Sequence, residues 1–205
     1  MRLIRVLLMF LLILLAPACA AGSRGLPETE YFFKTPADFK ETSFVFDLTG
    51  EGASEVTVAV TFTPEPVRET RLVVRGADGC TLYSLALTGA CPEMMALTSL
   101  REVNSRELLF AWRVEGSGGF LGYVLLGHSP AGFGELLREE GLAHGAVSLS
   151  GGTLEQTAAR YGPDSPNSMP AAMEKTCRLW DGTGFAASTA TQLRDMRYSY
   201  DSRLE

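Results

Sequence analysis

The chain has 205 residues, 46% of them hydrophobic and 20% charged, with a formal net charge of −6. This balance is ordinary for a packed globular protein and excludes extensive disorder, and an acidic surface repels phosphate backbones, which argues against a nucleic-acid partner. Basic runs are absent, and the only lysines are Lys34, Lys40 and Lys175.

The first element is an export leader. Arg2 and Arg5 precede the apolar run Val6 to Leu15, which ends in Ala16-Pro17-Ala18-Cys19-Ala20-Ala21. A positive start, a short apolar stretch and a small-x-small exit are what the export machinery and a signal peptidase read. The run is shorter than the roughly 20 apolar residues a stable transmembrane span needs. Residues 1–20 therefore read as a signal peptide, and the mature protein is expected outside the cytoplasm, in the periplasm or cell envelope. Two processing routes are open. Ala18-Cys19-Ala20 suits cleavage before Ala21, whereas lipidation of Cys19 would tether the protein to a membrane face, with Leu15 standing one step early for the bacterial lipoprotein pattern. Losing Arg2 and Arg5 takes the net charge from −6 to −8, because residues 1–20 contain no acid.

Residues 21–36 mix Gly, Pro and charge and read as a linker, followed by a β-domain over 37–190 and a C-terminal tail over 191–205. Within that domain strand signals dominate. Glu55 to Phe62 alternates large apolar with small or polar residues, the period of a half-buried strand, and Pro64 and Pro66 stop it. Further strands are expected at 43–46, 70–75, 81–87, 107–114, 120–127, 146–149, 153–159, 175–180 and 185–188. Turns separate them at Ala77-Asp78-Gly79, Gly116 to Gly119, Ser150-Gly151-Gly152 and Asp181-Gly182. Periodicity leaves Gly134 to Glu140 open between strand and a turn or two of helix, and Pro170 to Glu174 suits a single helical turn. Gly162 to Pro170 reads as a loop. The fold class is all-β: antiparallel, blade-like meander sheets, arranged as part of a propeller or as a sandwich, with little helix. Edge strands left uncovered would need a partner.

Export permits disulfides, and Cys80, Cys91 and Cys177 remain in the mature chain. A straight strand between the first two would hold them roughly 30 Å or more apart, beyond the ~7 Å between Cα atoms that a disulfide spans. A bridge from either to Cys177, or three reduced thiols, both stay open.

Phe46-Asp47-Leu48-Thr49-Gly50-Glu51-Gly52-Ala53-Ser54-Glu55-Val56-Thr57-Val58 resembles the loop-strand signature of FG-GAP or VCBS-type repeats, and Leu100 to Phe110 echoes it. The Ser117 to Leu126 turn-strand and the Trp180 to Phe185 hairpin are similar to exported bacterial domains of unknown function that carry such a loop. The resemblance covers roughly residues 43–188. It implies propeller-type blades and a calcium held by Asp47, Glu51 and Glu55, with Thr49 standing where that family has Asp or Asn. Calcium wants about six to eight oxygens; without the ion the same loop is a glycine-permitted turn with a solvated acidic rim. No other cofactor is implied.

Catalytic patterns read poorly. Tyr123 to Ala131 mimics the strand and nucleophile elbow of a hydrolase around Ser129, but Pro130 has no N–H for an oxyanion hole. His128 and His144, the only histidines, lack metal-ligand spacing. Glu139 with Glu140, or Asp164, would have to form a carboxylate dyad across a cleft; a solvated surface explains them more simply. Trp112 and Trp180 read as core or hairpin packing. Phe120, Tyr123 and Phe133 form either a binding patch or a sheet-packing face. The sequence thus points to an exported, non-catalytic binding or scaffold domain, with no catalytic residue assigned. Its partner would be a protein or glycan of the cell envelope, met through the loops 116–119 and 162–170, and its only membrane contact a lipid anchor at Cys19. The alternative is an envelope hydrolase using a carboxylate pair or an unrecognised nucleophile.

Overall fold

The computed structural model describes residues 29–34, 41–48, 56–63, 68–102, 105–114, 116, 119–163 and 170–193. Thirteen strands and no helix occur among them: β1 (Glu30–Lys34), β2 (Glu41–Phe46), β3 (Val56–Thr63), β4 (Glu69–Gly76), β5 (Thr81–Thr88), β6 (Ala90–Thr98), β7 (Glu107–Val114), β8 (Phe120–Ser129), β9 (Gly132–Leu142), β10 (Ala146–Ser150), β11 (Thr153–Arg160), β12 (Ala172–Trp180) and β13 (Phe185–Leu193). They form three open antiparallel sheets, β2-β3-β4-β5, β1-β6-β7-β8-β9 and β10-β11-β12-β13. The protein is all-β and built from meanders, as expected.

The sheets stack in three layers with the five-stranded sheet in the middle. On β7, Leu108, Phe110 and Trp112 join Val58, Val60, Leu72 and Val74 of the first sheet in one core, with Val124 and Leu126 of β8. Their neighbours Leu109 and Ala111 join Leu121, Tyr123, Leu125 and Leu154 in a second core against the third sheet. Side chains alternate across a strand, so every central position of β7 and β8 is buried on one face or the other. Strands covered on both faces read as nearly unbroken apolar runs rather than alternating ones. The outer strand β3 alternates, with Val56, Val58 and Val60 inside.

Short corners carry the chain between layers. Gly89 alone links β5 to β6, its N–H donating to Arg68 O at 2.8 Å. β5 runs across the central sheet: Tyr83, near its start, reaches Glu135 of β9 at the far edge, whereas its end turns directly into β6. The first two layers therefore cross steeply, a packing in which strands switch sheets at bends. Residues 143–145 make the second corner, where His144 has φ 45° and Ala143 O accepts from Ala159 N–H at 2.7 Å.

Several expectations need correction. Glu30–Lys34, inside the expected linker 21–36, is a strand paired with β6 more than sixty residues away, and that distance hides it from local patterning. β6 itself carries Pro92, which argues against a central strand; a bulge between Pro92 and Met94 accommodates the missing donor. Gly134 to Glu140 lies within a strand, and Ala172 to Glu174 opens β12 where a helical turn was expected. β13 continues to Leu193, past the expected start of the tail at 191.

Candidate functional site

Three arginine-centred clamps lie along the boundary between the central and third sheets. At one end Arg113, on the face of β7 that meets the third sheet, is gripped by Glu93 of β6 through Nε and Nη2. Its Nη1 donates to Gly119 O at 2.7 Å and its Nη2 to Gly145 O at 3.0 Å. One guanidinium thus ties the β7–β8 hairpin to the β9–β10 corner. In the middle, Arg178 of β12 pairs with Glu139 of β9, beside the hydroxyl of Tyr123, which donates to Gln156 Oε1. At the other end Arg101 Nε donates to the fully buried Glu107 at 2.7 Å and Nη1 to His128 O at 2.6 Å, with the guanidinium 5.6 Å from the Trp180 ring centroid.

The Arg113 clamp braces a displayed apolar pair. Val114 and Phe120 stand opposite each other at the end of β7 and β8, 37% and 41% exposed, beyond the last buried rows. The turn between them closes with Gly119 N–H donating to Gly116 O at 3.1 Å. The pair forms a small exposed apolar tip at this end of the hairpin.

Of the three aromatics expected as a patch, only Phe120 is displayed. Tyr123 is fully buried facing the third sheet, and Phe133 packs against the first core beside His128 at the opposite end of β8. Val114 and the brace of Arg113 and Glu93 were missed by sequence reasoning. The available signal was an apolar residue at the last strand position before a glycine-rich turn.

The other expected residues fall as follows. Asp47 follows β2, half-buried and partnered, while Glu51, Glu55 and Cys19 lie outside the described residues, as do residues 117–118 of the first expected loop and 164–169, Asp164 included, of the second. Glu139 and Glu140 project to opposite faces of β9, toward Arg178 and Arg138 respectively, so they do not make a dyad. Ser129 ends β8, its hydroxyl donating to Gly132 O at 3.0 Å and accepting from Ala131 N–H at 3.2 Å. Trp112 is core, and Trp180 packs edge-on against Phe185 across the Asp181 turn. Cys80 is exposed, Cys91 half-buried and Cys177 buried. At the Asp181 turn the backbone N–H groups of Thr183 and Gly184 hold the carboxyl below its ordinary range.

The clamp layer makes stability sensitive to alkali. Burial pushes the Tyr123 phenol well above its ordinary range, with Glu139 adding to the rise and Arg178 opposing it. Burial and the bond to Glu135 do the same to Tyr83. An acid whose folded value is raised favours its neutral form in the fold, so its contribution is complete below about pH 10, the unfolded tyrosine value, and is lost as pH rises above it. Melting temperature is expected to fall as pH rises above about 10, and Tyr123→Phe to flatten that fall. Equal slopes in the two proteins would contradict the assignment.

No family model, curated protein or solved structure matches the chain.

Proposed function

We propose that the protein is an exported, non-catalytic binding or scaffold domain of the cell envelope. The observation that carries this reading is the Val114–Phe120 pair, held out from the end of a sheet that is packed on both faces and fixed by the Arg113 clamp. Recognition is a task for such a braced apolar tip, and its partner is an envelope protein or glycan. The export leader supports the location, and lipidation at Cys19 would hold the domain at a membrane face. The likeness to FG-GAP or VCBS-type repeats draws support from topology: β2–β5 and β10–β13 are each a four-stranded antiparallel meander, the plan of a propeller blade.

The test uses the purified mature protein and its Val114→Ser and Phe120→Ser variants, whose side chains are exposed enough to leave the fold intact. Binding to isolated cell-wall sacculi and to defined envelope proteins is expected to weaken about tenfold in each variant, roughly 1.4 kcal/mol. Turnover of a glycan, ester or peptide substrate that one carboxylate substitution abolishes would establish the hydrolase reading instead.

A further inference from the structure

β13 is an unusual edge strand. It pairs with β12 from Ala172↔Leu193 to Trp180↔Phe185, and its other side has no neighbour among the described residues. Its sequence, Phe185-Ala186-Ala187-Ser188-Thr189-Ala190-Thr191-Gln192-Leu193, holds no charge, no proline and no glycine. Every residue from Ala186 to Thr191 is exposed, which covers both faces, so the packing that holds Phe185 on the second core does not extend to these six residues. Little between Ala186 and Thr191 rewards this stretch for being a strand: alanine is a poor strand former, and none of these six residues is buried.

The remaining edges are blunted. β1 contains Glu30, and β9 contains Glu135, Arg138, Glu139 and Glu140. β2 begins with Glu41 and is only six residues long. β5 is engaged through the Tyr83 hydroxyl with Glu135 of β9, and β10 has only five residues, two of them packed on the second core. Natural edges are protected by charge, shortness or cover; β13 has no charge, is nine residues long, and has no cover among the described residues.

We propose that β13 is a self-association edge, at which a second copy of this chain pairs antiparallel about a two-fold axis. Such an interface is isologous, so the strand must complement itself. With Thr189 on the axis, Ala187 faces Thr191 of the second copy and Ser188 faces Ala190, all small and neutral. No like charges oppose each other, which is the penalty such pairing would incur at β9. The register also agrees with the strands behind it. Arg178 lies beside Ala187 and Glu174 beside Thr191, but they are already paired with Glu139 and Arg160 of their own chain, so neither brings an unmatched charge to the new rows. The product is one continuous eight-stranded sheet spanning both copies, within the usual size of open sheets. This assembly is independent of what the Val114–Phe120 tip recognises.

Sedimentation equilibrium of the purified mature chain, with Ala187→Lys and Ala190→Lys as one variant per face, tests it. Both positions are exposed, and unchanged melting of the variants shows that the fold survives. The native chain is expected to dimerise in the micromolar range and each lysine to weaken dimerisation at least tenfold. A native chain that stays monomeric at about 100 µM overturns the proposal, as does a dimer that both lysine variants retain. A monomer whose β13 amides resist hydrogen exchange would overturn it in favour of a terminal segment of the same chain covering the edge.

Discussion

Replacing Glu107 by alanine is expected to cost about 3–5 kcal/mol, the range for removing one partner of a buried ion pair. For a domain of this size that lowers the melting temperature by roughly 6–20 °C. The reason is how much hangs on one carboxylate. Glu107 is fully buried; its Oε2 accepts from Leu100 N–H at 2.8 Å and its Oε1 from Arg101 at 2.7 Å. Without it Arg101 is an unmatched charge at the layer boundary and the Leu100 N–H loses its acceptor. Gly127 on the adjacent strand makes the room: a Cβ there would come within 3.3 Å of Arg101 Nη2 and 3.4 Å of Glu107 Cγ. Glu107→Gln keeps an oxygen for one of the two donors, and its loss is expected to be about half as large. Thermal and urea unfolding of the three proteins measures the difference, and an alanine variant within about 1 kcal/mol of native would show the pair to be dispensable.

Alanine at Gly122 is expected to be strongly disruptive for a single added methyl. Its Cβ would lie 2.5 Å from Cε2, 2.6 Å from Cζ2 and 2.7 Å from Nε1 of Trp112, the residue directly opposite on β7. The indole lies over the glycine with no slack. It is 2% exposed, its ring centroid lies 6.1 Å from that of Phe110, and the Arg138 guanidinium sits 5.8 Å from its centroid. Overpacking of this kind costs about 1–3 kcal/mol, roughly 2–12 °C in melting temperature. Because Trp112 is buried and Trp180 half-exposed, displacement of the indole shifts emission to the red. Trp112→Leu in the Gly122→Ala background removes the clash, so the two changes are expected to be markedly non-additive. Native melting and native emission in Gly122→Ala would mean that the ring has another place to go.

Strand positions were legible because the pleat is a local property. Val56, Val58 and Val60 alternate with smaller neighbours, and the sequence places β7 at 107–114, the limits found in the structure. Glycine turns marked most hairpins. The same local reading failed at β1 and β6, where pairing across more than sixty residues and a bulge at Pro92 set the outcome.

For the site, little beyond Phe120 was visible. Its prominence depends on Val114 across the hairpin and on Arg113 reaching Glu93, Gly119 and Gly145 from three separate parts of the chain. Glu139 and Glu140 make the same point in reverse, since adjacency in the chain put them on opposite faces of β9.

By itself the sequence determined that this chain becomes strands and turns, because alternation and turn chemistry act between neighbours a few residues apart. Only the tertiary structure decided that the middle sheet is covered on both faces, where its charged side chains clamp the layers, and which edge strand has no neighbour among the described residues. Those outcomes depend on which layer each face meets, and that is fixed by contacts between residues far apart in the chain.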